Sequence, residues 1–229
     1  MRVLAIDTAT DAATVAVVED NIVVGEYVIN HKKTHSQKIM VMIDRVLTDL
    51  ELKVSDIDVF AVATGPGSFT GLRIGVATIK ALAHSHNKPT VGVNTLYALA
   101  YNICDSNKVI VPIMDARRGQ VFNAAYKWNN GVLETVVEPN ACDIHECIER
   151  VSGYDTIFTG DGVNVHCDLL KTEVAPVHLR MSKASAVCVC AYQMAERGCL
   201  SDYNSLVPEY LRLSQAEQEL LKKSKTEDK

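Results

Sequence analysis

The pattern of apolar and polar positions is sharpest between Asp58 and Ala83, DVFAVATGPGSFTGLRIGVATIKALA. Val59, Phe60, Ala61, Val62 and Ala63 form a short continuous apolar run, which predicts a strand covered on both faces, as in a parallel sheet. Gly65, Pro66 and Gly67 end it. Ser68 or Thr70 then caps a helix whose stripe Leu72, Val76, Ile79, Ala83 repeats at helical spacing. A second face carries Gly71, Gly75 and Thr78, small enough for another backbone to come close. Arg73 and Lys80 are the only charges and share one narrow side. Such a helix has to be covered on most of its circumference, either by the protein's own core or by a partner.

The same reading extends along the chain. Residues 2–29 alternate as a hairpin: RVLAID, the turn TATDAA, TVAVVED, a second turn at Asn21, then IVVGEYVI. A similar pattern recurs from Val109, where VIVPIMD leads through ARRGQ to VFNAAYKW, the Asn129-Asn130-Gly131 turn and VLETVV. Two hairpins, each opened by an apolar strand ending in aspartate, predict a duplicated, two-lobed architecture; the period is too long for a solenoid. Between the first hairpin and the Gly-Pro turn, Ser36–Leu50 reads as a helix. One stripe holds Ile39, Met42, Ile43, Val46 and Leu50, with Met40, Asp44 and Leu47 beside it. One stripe suffices to dock on a sheet, so the surplus predicts either a partner surface or an unusually broad buried face. In the second half, helices are expected over Asp143–Val151 and Lys183–Arg197, the latter closed by Gly198. Strands are expected over Thr156–Thr159 and Val174–His178. Val207–Leu211 leads back toward the first lobe, and the mixed charges beyond Gln215 predict a fraying helix and a disordered tail.

Composition narrows this picture. A chain of 229 residues, 48% hydrophobic, can bury a core shared by two lobes. No apolar run approaches membrane-spanning length and Met1-Arg2 enters a strand directly, which predicts a cytoplasmic protein with no membrane association. The seven cysteines form no CxxC pair and no zinc spacing, so buried reduced thiols are expected. A net charge of −5 argues against an extended phosphate-binding surface. His31 and His35 have no accompanying HExxH glutamate or nearby third ligand, and no metal is expected there.

Candidate chemistry gathers at the turns. GPGSFTG lacks the lysine and hydroxyl of a GxxxxGK[ST] phosphate loop, and its GxGxxxG spacing is one residue too long for a dinucleotide fingerprint. A helix N-terminus can hold an anion without a motif, but the residues favour a tight turn with glycines for close packing. Asp7 and Thr8, with Thr10, Asp11 and Thr14 behind them, are the residue types that hold phosphate and magnesium in sugar kinases and actin; they are also ordinary turn residues. Arg117 and Arg118 would crowd a nucleotide but could contact tRNA or a partner's acids; a solvated turn is the other reading.

In order, LAIDTAT, HSQKIMVMIDRVL, GPGSFTGLRIGVATIKALA, MDARRGQVF, TGDG and VPEYLR resemble the TsaB (YeaZ) family of tRNA threonylcarbamoyladenosine biosynthesis proteins through nearly the whole chain. The resemblance implies an α/β, two-lobed fold of the actin, hexokinase and heat-shock ATPase (ASKHA) kind with duplicated ribonuclease-H-like lobes. Here these would be residues 1–106, partner-binding, and 107–229, with a disordered tail from about residue 216. It implies pairing with the catalytic paralogue TsaD and the ATPase TsaE, in a complex that transfers threonylcarbamoyl to the adenosine beside the anticodon of tRNAs reading ANN codons. Ile39, Met42, Ile43 and Val46 on one helix and Leu72, Val76 and Ile79 on the next would meet equivalent TsaD helices in a four-helix bundle. A homodimer through the same helices is the fallback, and tRNA would be met only through the complex. The turn motif is Gly65, Pro66, Gly67, Ser68, Phe69, Thr70, Gly71 and Arg73. The paralogue's metal-holding histidine pair has no counterpart in VGVNTLYALAYNICDS, and TGDG departs from the adenosine loop of the ATPase relatives. No catalytic residue is therefore expected; ATP or ADP and a divalent metal would belong to the partner complex. Asp7 and Thr8 would be a vestigial phosphate site. An ATP-binding kinase or ATPase working through these two residues is the alternative. A peptidase is a further one, which no GxSxG elbow or zinc triad supports.

Overall fold

The computed structural model of the chain describes residues 1–31, 35–104 and 106–212. The first lobe opens with β1 (Arg2–Asp7), β2 (Ala12–Glu19) and β3 (Ile22–Asn30). It continues through α1 (His35–Asp49), β4 (Val59–Gly65), α2 (Phe69–His86), β5 (Thr90–Asn94) and α3 (Thr95–Ala100). The second lobe repeats the plan with β6 (Val109–Asp115), β7 (Gln120–Asn129), β8 (Val132–Asp143), α4 (Ile144–Arg150), β9 (Thr156–Thr159), α5 (Gly162–His166) and β10 (Glu173–Val174), before α6 (Ala184–Glu196).

The two sheets have the same topology. Their strand orders are β3-β2-β1-β4-β5 and β10-β9-β6-β7-β8. In each, a hairpin pairs antiparallel and the later strands add in parallel: Ala5 faces Ala16 across the hairpin and Ala61 on the parallel side, as Ile113 faces Asn123 and Val111 faces Phe158. This is the duplicated, two-lobed α/β fold expected from the paired aspartate-ended hairpins.

Period-two alternation divides the apolar side chains among three layers. Leu4, Ile6, Val15 and Val17 face outward, where α1 and α2 cover them. Val3, Ala5, Ala16 and Val18 face the middle of the molecule with Val187 and Cys188 of α6, Leu96 and Leu99 of α3, and Phe122 and Tyr126 of the second sheet. Val109, Val111 and Ile113 face the far side, under α4 and α5. Strands covered on both faces read as continuous apolar runs, which is why β1, β2 and β4 are almost wholly buried. Each fully buried Leu or Ile adds about 1.5–3 kcal/mol.

Four expectations are corrected. α6 packs against β1, β2, β4 and β5, so residues 184–196 belong to the first lobe's inner face and a single boundary at 106/107 does not divide the chain. The strand expected over 174–178 is only Glu173–Val174, because Pro176 starts a 3₁₀ turn at Val177–Leu179. On α1, Ile39, Met42, Ile43 and Val46 are all buried, with Leu47, against the chain's own sheet. On α2, Leu72, Val76 and Ile79 are buried in the same way. Phe60 and Val62 of β4 share the cluster with α1's first stripe and Leu47, so that part of the surplus is a broad internal face, while Met40 and Asp44 of the second stripe stay exposed. The tail beyond Gln215 lies outside the described residues.

Candidate functional site

The Gly-Pro turn is built for close approach. Gly65, the buried last residue of β4, has φ +136°. A Cβ on Gly71 would run into the Thr8 carbonyl, and one on Gly75 would meet the Thr8 hydroxyl. The small-residue face of α2 thus seats the β1–β2 turn of the same chain. Ser68 caps α2, its hydroxyl accepting from the Gly71 amide at 3.3 Å, while the Ser68 amide donates to the Ala9 carbonyl at 2.8 Å. GPGSFTG thus forms a tight turn in which Gly67 and Gly71 lie directly against Ala9 and Thr8.

Arg73 and Lys80 of α2 serve the returning C-terminal segment. Arg73 Nε donates to the Tyr210 hydroxyl at 2.9 Å, and the Tyr210 ring stacks on Phe69 with centroids 4.7 Å apart. Lys80 Nζ donates to the carbonyls of Asn204 and Leu206, each at 3.2 Å. Glu209 N donates to Thr64 O at 2.8 Å, and Arg212 Nη1 reaches Ala116 O at 2.9 Å. Residues 204–212 therefore strap α2 to the turn that follows β6. The sequence placed this return at Val207–Leu211, but the pairing of α2's two cations with it left no sequence signal.

At the corner between the lobes, Asp7 and Thr8 are sealed. Ser182 Oγ donates to Asp7 Oδ2, and Ala9 N donates to Asp7 Oδ1 at 2.7 Å. Burial pushes the Asp7 carboxyl up, and those two hydrogen bonds oppose the shift. Thr8 Oγ1 donates to Gly71 O at 2.7 Å, and both residues are buried. A phosphate would need an open approach to these groups, and their hydrogen-bonding capacity is directed into the chain; the pair does not fit the role of a phosphate site. Opposite them, Asp161 Oδ1 accepts from Asp115 N at 3.2 Å. Burial raises the Asp161 carboxyl, and the neighbouring Asp115 and Asp11 charges push the same way. Among the described residues no three His, Cys, Asp or Glu side chains are arranged to hold a metal. Burial also pushes the Cys147 thiol up to about 12 and raises those of Cys188 and Cys190, so these three remain protonated and poorly nucleophilic at neutral pH.

A duplication not read from the sequence becomes visible here. Thr64-Gly65-Pro66-Gly67 after β4 and Thr159-Gly160-Asp161-Gly162 after β9 occupy equivalent strand-to-helix turns, and the TGxG spelling was the available signal. Gly160 has φ +105°, and Thr159 Oγ1 donates to Leu179 O as Thr64 Oγ1 does to Val93 O.

Two exposed features remain. On α1, Met40 is 50% and Val41 66% exposed, beside exposed Asp44 and Arg45. The adjoining α2 shows Thr70, Arg73, Ala77 and Ala81 to solvent. In the turn after β6, Arg117 and Arg118 have φ of 65° and 58° and lead into Gly119 at 75°. Two successive non-glycine residues in the left-handed region cost about 1 kcal/mol or more each.

Comparison with known proteins bears on the family and the fold. The family model described as TsaD, tRNA N6-adenosine threonylcarbamoyltransferase, matches residues 23–220. The tRNA threonylcarbamoyladenosine biosynthesis protein TsaB of Bacillus subtilis (strain 168) is 33% identical over 230 residues, covering 98% of this chain and 100% of the relative. That of Escherichia coli (strain K12) is 36% identical over 169 residues, covering 70% and 72%. The solved structure of YeaZ from Pseudomonas aeruginosa superposes with a TM-score of 0.78 at 22% identity, covering 92% of this chain and 99% of that one, a likeness of fold.

Proposed function

We propose, from the premise that this chain belongs to the TsaB (YeaZ) family of tRNA threonylcarbamoyladenosine biosynthesis proteins, that it is a non-catalytic subunit working through a partner. The partner in this reading is TsaD, joined by TsaE, in the cytoplasmic complex that places threonylcarbamoyl on the adenosine beside the anticodon of tRNAs reading ANN codons. ATP or ADP and the divalent metal belong to that complex, and tRNA is met through it.

The observation that carries the proposal is the outer edge of α1. Met40 and Val41 stand in solvent on a helix whose other apolar side chains are buried. The TsaD family model matches residues 23–220, a span that includes α1 and α2, which supports a partner carrying a like helix pair. Two like helix pairs can pack face to face through such an edge, and two copies of this chain can do the same when TsaD is absent. The sealed Asp7 and Thr8 support the non-catalytic part of the reading.

Co-purification with TsaD from the same organism tests the pairing. The wild-type chain is expected to form a stable complex, and Met40→Asp with Val41→Asp to abolish it without loss of folding. Calorimetric titration of the isolated chain with ATP tests the other half: tight binding by this chain alone would sink the non-catalytic reading and favour an ATPase of the same fold.

A further inference from the structure

We propose that β3 is an interface strand through which two copies of this chain join their first sheets, antiparallel and centred on Gly25. β3 is an edge strand, nine residues long and paired with β2 alone. Among the described residues its main chain makes no hydrogen bond beyond that ladder, so a row of outward-facing N–H and C=O groups is left open. Its exposed side chains are largely apolar: Ile22 is 66%, Val23 45%, Val24 37% and Val28 38% exposed. The other sheet edges are defended. β8 carries Glu134, Glu138 and Pro139, β10 is two residues long, and the start of β5 is bridged by Ser201. β3 has neither proline nor lysine, and its one acid, Glu26, is engaged at the start of α6, accepting from Ser185 N at 3.0 Å. A long apolar edge without such devices is a template for a further strand.

The strand that fits it is a second β3. A two-fold axis perpendicular to the sheet keeps like faces together. Centred on Gly25, it sets Ile22 opposite Val28, Val23 opposite Tyr27 and Val24 opposite Glu26 of the second copy. The exposed Ile22 and Val28 then cover each other twice, once at each end of the pairing. The charges at the two ends also match. The exposed Asp20, just before β3, comes opposite Asn30 of the second copy, beside its His31 and Lys38. Lys38 Nζ donates to His31 O at 3.4 Å and has no acid partner among the described residues. Acid therefore meets base at both ends, which a parallel pairing would not achieve. This contact goes beyond the proposed pairing with TsaD, because it uses the strand edge and leaves Met40 and Val41 of α1 free.

The full-length chain is kept under reducing conditions, so that the exposed Cys104, Cys167 and Cys199 do not link copies, and its mass is followed by multi-angle light scattering across a dilution series. Every sample carries Met40→Asp with Val41→Asp, which removes the helix-edge contact and leaves β3 as the contact under test. Dimers are expected in this background. Ile22→Lys with Val28→Lys sets like charges opposite each other and should raise the dissociation constant by about tenfold or more. Ile22→Lys with Val28→Glu changes the same two exposed positions but sets opposite charges across the strands. It should dimerise about tenfold more tightly than the double-lysine variant, with melting temperatures confirming that both fold. A monomer with β3 intact overturns the proposal and leaves the edge to a foreign strand or to the chain's own residues 213–229. Equal dissociation constants for the two charge variants, or a double-lysine variant as dimeric as its parent, overturn it as well. No sample contains TsaD, so failure here leaves the proposed pairing with TsaD untouched.

Discussion

Val41 and Val46 lie on the same helix and differ in what surrounds them, so one substitution at each separates a docking residue from a core residue. Val46 is 1% exposed and packs in the cluster formed by α1, α2 and the outward face of the first sheet. Val46→Asp removes about 1.5–2 kcal/mol of apolar burial. It also places a carboxyl where no cation is available, a class of change that costs more than about 4 kcal/mol in all. For a chain of this size each kcal/mol shifts the midpoint by about 2–4 °C, so a fall of roughly 10–15 °C or outright failure to fold is expected. Val41, 66% exposed, sits outside that cluster. Val41→Asp should change stability by no more than about 0.5 kcal/mol, near 1–2 °C, while abolishing the complex with TsaD. Circular dichroism melting and co-purification, run on both variants, decide the matter. Val46→Asp that melts like wild type yet fails to bind would show that the inward assignment of α1 is wrong. Val41→Asp that still binds at wild-type strength would remove the proposed surface.

Gly71→Ala is expected to destabilise by about 2–3 kcal/mol despite the ~1 kcal/mol that alanine gains in a helix, because the added methyl meets the Thr8 carbonyl; chemical denaturation measures it. Tyr210→Ala removes a ring stack and a hydrogen bond to Arg73 and should lower the melting temperature by about 4–8 °C. Asp7 has a folded pKa raised by burial, so its ionisation costs stability as pH climbs above the ordinary carboxylate value of about 4. Asp7→Asn should therefore gain on the wild type with rising pH in a melting series from pH 4 to 8; a constant difference would contradict the assignment. Thiol titration at pH 8 should find Cys104, Cys167 and Cys199 reactive and Cys142, Cys147, Cys188 and Cys190 silent until denaturant is added.

The fold was legible because its signals are local. Continuous apolar runs ending in Asp7 and Asp115, turns at Asn21 and Asn130-Gly131, and a serine ahead of a periodic helix each act within a few residues. The matching elements lie close to where those signals put them. What escaped was set by distant partners. Ile39, Met42 and Val46 look like surplus in isolation; only the width contributed by Phe60 and Val62 shows that they are needed inside. The destination of α6 has the same cause, since its apolar face fits either sheet by composition and the crossover decides between them. The closure of Asp7 by Ser182 joins residues far apart in the chain and has no trace in spacing.

Because the lobes share one topology, their differences show where each has specialised. In the first lobe the two outer helices run 15 and 18 residues; their counterparts in the second run 7 and 5. A helix of one or two turns can cover a sheet but cannot present a long ledge to another protein, since its ends take up most of its length. The aspartates ending the equivalent strands β1 and β6 diverge in the opposite sense. Asp7 is buried and bound by Ser182, whereas Asp115 is exposed and orders the Arg117 amide. The first lobe has thus closed its inner corner and extended its outer helices, while the second keeps short helices and an open, arginine-bearing turn. A duplicated enzyme that kept both corners for a nucleotide would be expected to hold these positions alike. The asymmetry fits a chain in which the proposed protein contact is concentrated on the first lobe.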